Sequence, residues 1–411
     1  MKKGLIVGVV VVILGFLVVY SQSGIPEGAK EKKPEAGGYG GTISPRTPMI
    51  EYVDTPASPD EEKLALKGAN LHLLVQPADM EKNLGKWTVV DCRPKDLYDE
   101  GHIPTAIHLG ETCNDFFRDD LVVEGIGMIE DLKLGDVGEL EKKLSKVGIS
   151  MDKTILFYDQ REDPGETSKG RYYGQFAGYV FVPFWYMEYM GHKDVRVLDG
   201  GIGAWKAEGK PIEQKANKLP PTQFKADVQR NRLATTEEVL KIAQKEEDAQ
   251  LVDNRTMDEY LGEHQSPPKH FLEGKVRRMG RIPNTKLNVP HYFQFIDPNT
   301  AKLRPTYQLA RLYQSLNKDK RTVLYCYIAN RISLSYFVLR LLGFNDPAIY
   351  HDSWIVWGSD LSLPVEEMKM VAEVIPGDVD IGKRSKIPVK TKAPAKKPTK
   401  PKKEQGEAGG Y

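Results

Sequence analysis

Leu251-Val252-Asp253-Asn254-Arg255, followed by Gly280-Arg281-Ile282-Pro283, repeats a pattern already met at Val90-Asp91-Cys92-Arg93 and Gly101-His102-Ile103-Pro104. In each copy a short apolar run ends in Asp-x-Arg, and a Gly-x-Ile-Pro element comes next. Working outward, both copies continue in the same order. In the first, an intervening helical stretch leads to the apolar strand Thr154-Ile155-Leu156-Phe157-Tyr158. A long helical pattern then ends at Gly191, and Val197-Leu198-Asp199-Gly200-Gly201 closes the unit with Trp205. In the second, Thr322-Val323-Leu324-Tyr325 is the buried strand, a helix lies within Ala329 to Leu342, and Trp354 and Trp357 echo Trp205. Short apolar strands alternating with helical periodicity predict an α/β fold, each unit a mostly parallel sheet flanked by helices. Repetition of the whole order predicts an internal duplication. Pro211 to Pro221 reads as the linker, which sets expected domains at 70–212 and 222–366.

The composition fits this. The 411 residues are 40% hydrophobic and 28% charged, with a formal net charge of +1. That is enough apolar residue for packed cores and excludes global disorder. The near-zero charge argues against a surface built for nucleic acid. Three cysteines, without a CxxC pair, make neither a disulfide framework nor a structural zinc site.

The ends differ from the middle. Lys2 and Lys3 precede an uncharged run from Gly4 to Tyr20, so 1–23 reads as a signal peptide or signal anchor. The two lysines orient it with the rest of the chain exported, to a periplasmic or other extracytoplasmic face. Residues 24–69 form a linker and lead-in, Gly-, Pro-, Lys- and Glu-rich as far as Thr47. Residues 367–411 form a Lys/Pro-rich tail that cannot offset its ordering entropy by burial. The tail is a candidate contact for an acidic protein partner or anionic lipid. Glu-Ala-Gly-Gly-Tyr occurs at 35–39 and again at 407–411, and no physical account of that repeat follows from the sequence.

The residue types that can do chemistry gather after the second buried strand. Cys326 follows Tyr325 directly and precedes an apolar helix stopped by Gly343. A helix N-terminus aimed at such a loop offers unpaired backbone N–H groups and the positive end of the macrodipole, both of which favour a thiolate or a persulfide anion. Arg331, at the end of Cys326-Tyr327-Ile328-Ala329-Asn330-Arg331, supplies a guanidinium suited to a sulfonate-like group. The bland alternative for Arg331 is an ion pair with Asp253 or another acid, and for Cys326 a small buried hydrophobe. Cys326 is the candidate catalytic residue. Tyr327, Ile328, Ala329, Asn330, Arg331 and Arg255 are the candidate substrate-binding residues. No cofactor or metal is implied.

These features resemble the rhodanese family of sulfurtransferases, in its tandem two-domain form. The resemblance rests on Val90-Asp91-Cys92-Arg93, Gly101-His102-Ile103-Pro104-Thr105-Ala106, Val197-Leu198-Asp199-Gly200-Gly201, Trp205, Leu251-Val252-Asp253-Asn254-Arg255 and Tyr350 to Gly358. It implies transfer of sulfane sulfur through a cysteine persulfide, from thiosulfate or a related donor to cyanide or a thiol, with the second domain catalytic. The loop is similar to a Cys-Arg-Ile-Gly-Glu-Arg-Ser version of the family motif. Cys326, Ile328 and Arg331 match. Tyr327 stands in place of the basic residue, Asn330 in place of the acid and Ile332 in place of the serine, which weakens the case for thiosulfate specifically and leaves polysulfide or a protein persulfide open as donor.

The first half carries Asp159 where the second carries Cys326, and a carboxylate cannot hold a persulfide, so this half is expected to be non-catalytic. Cys92 and Cys113 are read as structural. A Cys-based phosphatase needs a wider loop than the four residues separating Cys326 from Arg331. The remaining alternative is a non-catalytic rhodanese-fold sulfur carrier or scaffold at the cell envelope.

Overall fold

A computed structural model describes residues 55–123, 127–159, 180–263, 278–290, 294–297 and 300–366. The expected signal or anchor at 1–23, the tail at 367–411, both copies of Glu-Ala-Gly-Gly-Tyr and the polar stretch after Asp159 lie outside the described residues.

Two five-stranded sheets carry the fold. The first contains β1 (Leu74–Val75), β2 (Thr88–Asp91), β3 (Ile107–His108), β6 (Ile155–Tyr158) and β7 (Val195–Leu198), in the order β1-β7-β6-β2-β3. The second contains β8 (Leu233–Ala234), β9 (Gln250–Asp253), β10 (Thr285–Asn288), β11 (Thr322–Tyr325) and β12 (Pro347–Tyr350), in the order β10-β9-β11-β12-β8. Every pairing within both sheets is parallel. Strands β2, β6, β9, β11 and β12 are buried along their whole length. That is why they read as continuous apolar runs rather than as alternating ones.

Alternation still decides which core each side chain enters. Val90, Phe157 and Val197 of the first sheet, with Val252, Leu324 and Ile349 of the second, point into one core shared by both halves. Val89, Leu156 and Leu198 enter a separate core on the far face of the first sheet. Leu251, Val323 and Ala348 do the same behind the second. The helices Val182–Tyr189 and Arg331–Leu341 lie in the shared core, where the Phe184 and Phe337 rings meet edge-on at 4.8 Å between centroids. Glu188 also accepts from Tyr336 Oη at 2.6 Å and Arg340 Nε at 2.9 Å across the halves. Buried on all sides, both helices lack the polar stripe of a surface helix.

The segment between β3 and β6 is not simply helical, as the sequence suggests. It holds two helices, Cys113–Phe117 and Val137–Val147, separated by an antiparallel hairpin of β4 (Arg118–Val123) and β5 (Gly127–Leu134). This hairpin belongs to neither parallel sheet. Alternating short runs over so few residues leave helix and strand readings unresolved without their packing partners.

Cys92 and Cys113 form a disulfide across a separation of 21 residues. Both were expected to be structural, and the bond gives them that part, although the sequence reading did not pair them. Their pairing depends on β2 and the Cys113–Phe117 helix packing together, which spacing alone does not reveal.

Candidate active site

Register places the chemistry. β11 pairs with β9 so that Tyr325 lies opposite Asp253, and β6 pairs with β2 so that Tyr158 lies opposite Asp91. The next residue is Cys326 in one half and Asp159 in the other. Cys326 is the free cysteine and is wholly buried. Asp159 is 1% exposed, and its backbone carbonyl accepts from Ile202 N at 3.0 Å.

The Asp-x-Arg elements prove to be a structural device used twice. Arg255 Nη2 donates to Asp253 Oδ2 at 2.7 Å and to the Gly280 carbonyl at 2.7 Å. Arg93 makes the same two bonds to Asp91 and Gly101, also at 2.7 Å each. Each pair ties a strand end to its Gly-x-Ile-Pro turn, and Tyr325 or Tyr158 accepts from the backbone N–H of Ile282 or Ile103. The tryptophans repeat too: Trp205 Nε1 donates to Pro211 O and Trp357 Nε1 to Pro364 O, both at 2.8 Å. Arg255, a substrate-binding candidate from sequence, has a structural part here that the sequence reading did not assign. It is 1% exposed, its donors face Asp253 and Gly280, and its guanidinium lies 4.3 Å from the Trp354 ring centre. A buried guanidinium in this setting needs its pairing for stability.

The loop after β11 is held from several sides. Cys326 N donates to Ser353 Oγ at 3.3 Å, and the Cys326 and Tyr327 carbonyls accept from Trp354 N and Ile355 N at 2.9 Å. Ala329 has φ 62 and Ser353 φ 50, both in the left-handed region that side chains disfavour. Ser333 Oγ returns to the Asn330 carbonyl at 2.7 Å, closing the entry to the Arg331–Leu341 helix. Tyr327, Ile328, Ala329 and Asn330 are all buried. Burial pushes the Tyr327 hydroxyl well above its ordinary range, and the Glu259 carboxylate adds to that.

Arg331 has a partner, but it is not Asp253. Its two terminal nitrogens donate to Glu259 at 2.7 and 2.9 Å. Burial works against the guanidinium's charge and Glu259 more than restores it. On the acid's side burial would raise the carboxyl, yet Arg331 holds it down to about 2. Glu259 also accepts from Thr256 N at 2.9 Å, completing a capping box on the Met257–Leu261 helix. Arg331 thus stands at the loop with its fork turned to protein.

Arg118, Glu259 and Ser353 were not singled out from sequence. Thr256-x-x-Glu259 is a legible capping signal. Nothing local marks Arg118, which arrives from the first half to donate to Asn330 Oδ1 and, at 3.2 Å, to the Ala329 carbonyl. Among the described residues no cluster of His, Cys, Asp or Glu is arranged to hold a metal ion.

The arrangement is a buried thiol at a strand end, at the start of a strained loop that leads into a buried helix. A family model described as a rhodanese-like domain matches residues 76–208 and again 235–360. A sulfur carrier protein, TtuD, of Thermus thermophilus is 33% identical over 277 residues, covering 66% of this chain and 86% of its own. A thiosulfate sulfurtransferase of Corynebacterium glutamicum is 30% identical over 277 residues, covering 66% and 81%. Among solved structures, SseA from Escherichia coli, described with 3-mercaptopyruvate sulfotransferases, superposes with a TM-score of 0.53 at 19% identity, over 69% of this chain and 98% of that one. An anaerobic ergothioneine biosynthesis enzyme from Chlorobium limicola gives 0.56 at 21%, over 72% and 70%. At these identities the two structures show the shared fold.

Proposed function

Because the chain belongs to the rhodanese family, with two domains in tandem, we propose that it is a sulfurtransferase that carries sulfane sulfur on Cys326. The observation that supports this most directly is the placement of the chain's free thiol at the end of β11, where the loop and the Arg331–Leu341 helix begin.

The reaction runs in two displacements. The Cys326 thiolate attacks the outer sulfur of a donor such as thiosulfate. A new S–S bond forms, the donor's S–S bond breaks, and its electron pair leaves with sulfite. Cyanide or an acceptor thiolate then attacks the outer sulfur of the Cys326 persulfide. Thiocyanate or an acceptor persulfide forms, and the electron pair of the broken bond returns to Cys326 as thiolate. Thiosulfate fits the names of several relatives. Tyr327, in place of a basic residue, keeps other sulfane donors in the reading. The first half, with Asp159 at the equivalent position, contributes shape rather than a nucleophile.

The second reading is a non-catalytic sulfur carrier or scaffold. The departures at Tyr327, Asn330 and Ile332 and the full burial of Cys326 favour it, as does the name of the Thermus relative. Whole-protein mass after incubation with thiosulfate, polysulfide and 3-mercaptopyruvate tests both. A reducible gain of one sulfur atom on Cys326, discharged catalytically to cyanide or thiol, is the expected result. A gain without turnover indicates a carrier. No gain with any donor leaves a scaffold.

The site of action we propose is outside the cytoplasmic membrane, with 4–20 as the export signal or anchor and the basic tail available to an acidic partner. Lys2, Lys3 and the uncharged run support export. The Cys92–Cys113 disulfide is in keeping with an oxidising compartment. Protease digestion of intact spheroplasts should remove the domains. Digestion only after lysis would place them in the cytoplasm.

A further inference from the structure

The Cys326 loop is completed by a residue from the other half of the chain. Arg118 opens β4 and is 4% exposed. Its Nη1 donates to Asn330 Oδ1 and its Nη2 to the Ala329 carbonyl at 3.2 Å. A guanidinium has no acceptor, so this contact also fixes which way the Asn330 amide faces. The two residues it grips form the corner of the loop, and Ala329 there has φ 62. An alanine remains in that conformation only where surrounding contacts over-determine it.

The root of Arg118 is rigid. It follows the Cys113–Phe117 helix, whose first turn is capped by Thr112 Oγ1 accepting from Asp115 N. The Cys92–Cys113 disulfide anchors the same helix to the end of β2. Cys113 and Phe117 are wholly buried, and Lys143 Nζ donates to the Phe116 carbonyl at 2.5 Å. Beyond Arg118 the strand continues to Leu121, which packs against the second-half cluster that contains Tyr327, Ile328 and Trp354. The hairpin of the first half thus reaches across to the loop that follows the nucleophile.

We propose that Arg118 is a positioning residue. From the first half it sets the Ala329–Asn330 corner, and through that corner the shape and cover of the loop that bears Cys326. This rests on the reading of Cys326 as the sulfur-carrying residue. It assigns the first half a part in the reaction although it carries no nucleophile: its disulfide-anchored helix holds a guanidinium at a fixed reach.

The test uses the full chain with thiosulfate and cyanide, and the variants Arg118→Ala, Arg118→Lys, Asn330→Ala and the double Arg118→Ala/Asn330→Ala. Positioning acts on the bound complex, so Arg118→Ala should lower kcat about tenfold and alter KM for thiosulfate by less than about threefold. Arg118→Lys should recover part of kcat. Because the effect passes through Asn330, the double variant should be no slower than Arg118→Ala alone. With Cys92 and Cys113 joined, Cys326 is the free thiol, and its alkylation by iodoacetamide can be followed by intact mass. Loosening the corner should speed that alkylation at least about fivefold. Values of kcat and alkylation rate within about twofold of wild type in Arg118→Ala would overturn the proposal. Should that variant not fold, Arg118→Lys decides by the same alkylation measure. A wild-type chain that takes sulfur from no donor sinks the sulfur-transfer reading, while the alkylation comparison still judges Arg118.

Discussion

Glu259 engages both terminal nitrogens of Arg331, at 2.7 and 2.9 Å, and is itself 2% exposed. The charge nearest the start of the Arg331–Leu341 helix is therefore neutralised from within the same half. A fork-to-carboxylate pair in a buried setting is sensitive to geometry, because leaving either charge without its partner costs several kcal/mol.

Arg331→Lys keeps the charge and loses the fork. The melting temperature should fall by several degrees, in line with a loss of about 1–3 kcal/mol in a domain of this size. Donor preference should stay flat: kcat/KM for thiosulfate and for 3-mercaptopyruvate should drop by the same factor. A changed preference with an unaltered melt would mean that the guanidinium meets the donor.

Cys326→Ser should abolish sulfur transfer and leave the fold intact. A hydroxyl is nearly isosteric with the thiol but far less acidic and unable to hold a sulfane sulfur. Activity above about a tenth of wild type would move the chemistry elsewhere. Cys92 is not the next suspect, since it is bonded to Cys113.

Replacing the disulfide, as Cys92→Ser/Cys113→Ser, should destabilise the chain by about 2–4 kcal/mol, the usual range for a bridge of this kind. In the native protein under non-reducing denaturation one thiol should titrate, that of Cys326. Three titrating thiols in protein recovered from its own compartment would show that the bond does not form there.

Acid should weaken the fold in two windows. His351 is held down to about 3 from an ordinary 6.5, first by burial and then by the Arg118 charge. In the unfolded chain it protonates near 6.5, so its contribution is complete above that pH. It falls away by about 1.4 kcal/mol per pH unit as pH drops toward 3. Glu259, at about 2 against an ordinary 4.5, contributes above 4.5 and loses roughly 3 kcal/mol as pH falls from there to 2. Denaturant melts of wild type and His351→Asn between about pH 5 and 6.5 should show the slope flatten in the variant. An unchanged slope would assign the acid sensitivity to other groups, with His192, which burial also lowers, the first to test.

Read alone, the sequence determined the duplication, the α/β class and the family. Apolar strands ending in Asp-x-Arg and the Gly-x-Ile-Pro turns are local features, and their order is preserved along the chain. It also located Cys326 between a strand and a helix, because a buried parallel strand and the helix after it both leave periodic signals. What those residues do was decided by contacts between distant segments. The Asp-x-Arg arginines face their own aspartates and a glycine carbonyl. Arg331 pairs with Glu259, 72 residues away, rather than with Asp253. Cys92 finds Cys113 only once β2 and the Cys113–Phe117 helix are packed. Arg118 reaches Asn330 across 212 residues of chain. Such pairings depend on how two sheets are brought around one shared core, and a periodic pattern records which face of an element is buried without recording what it is buried against.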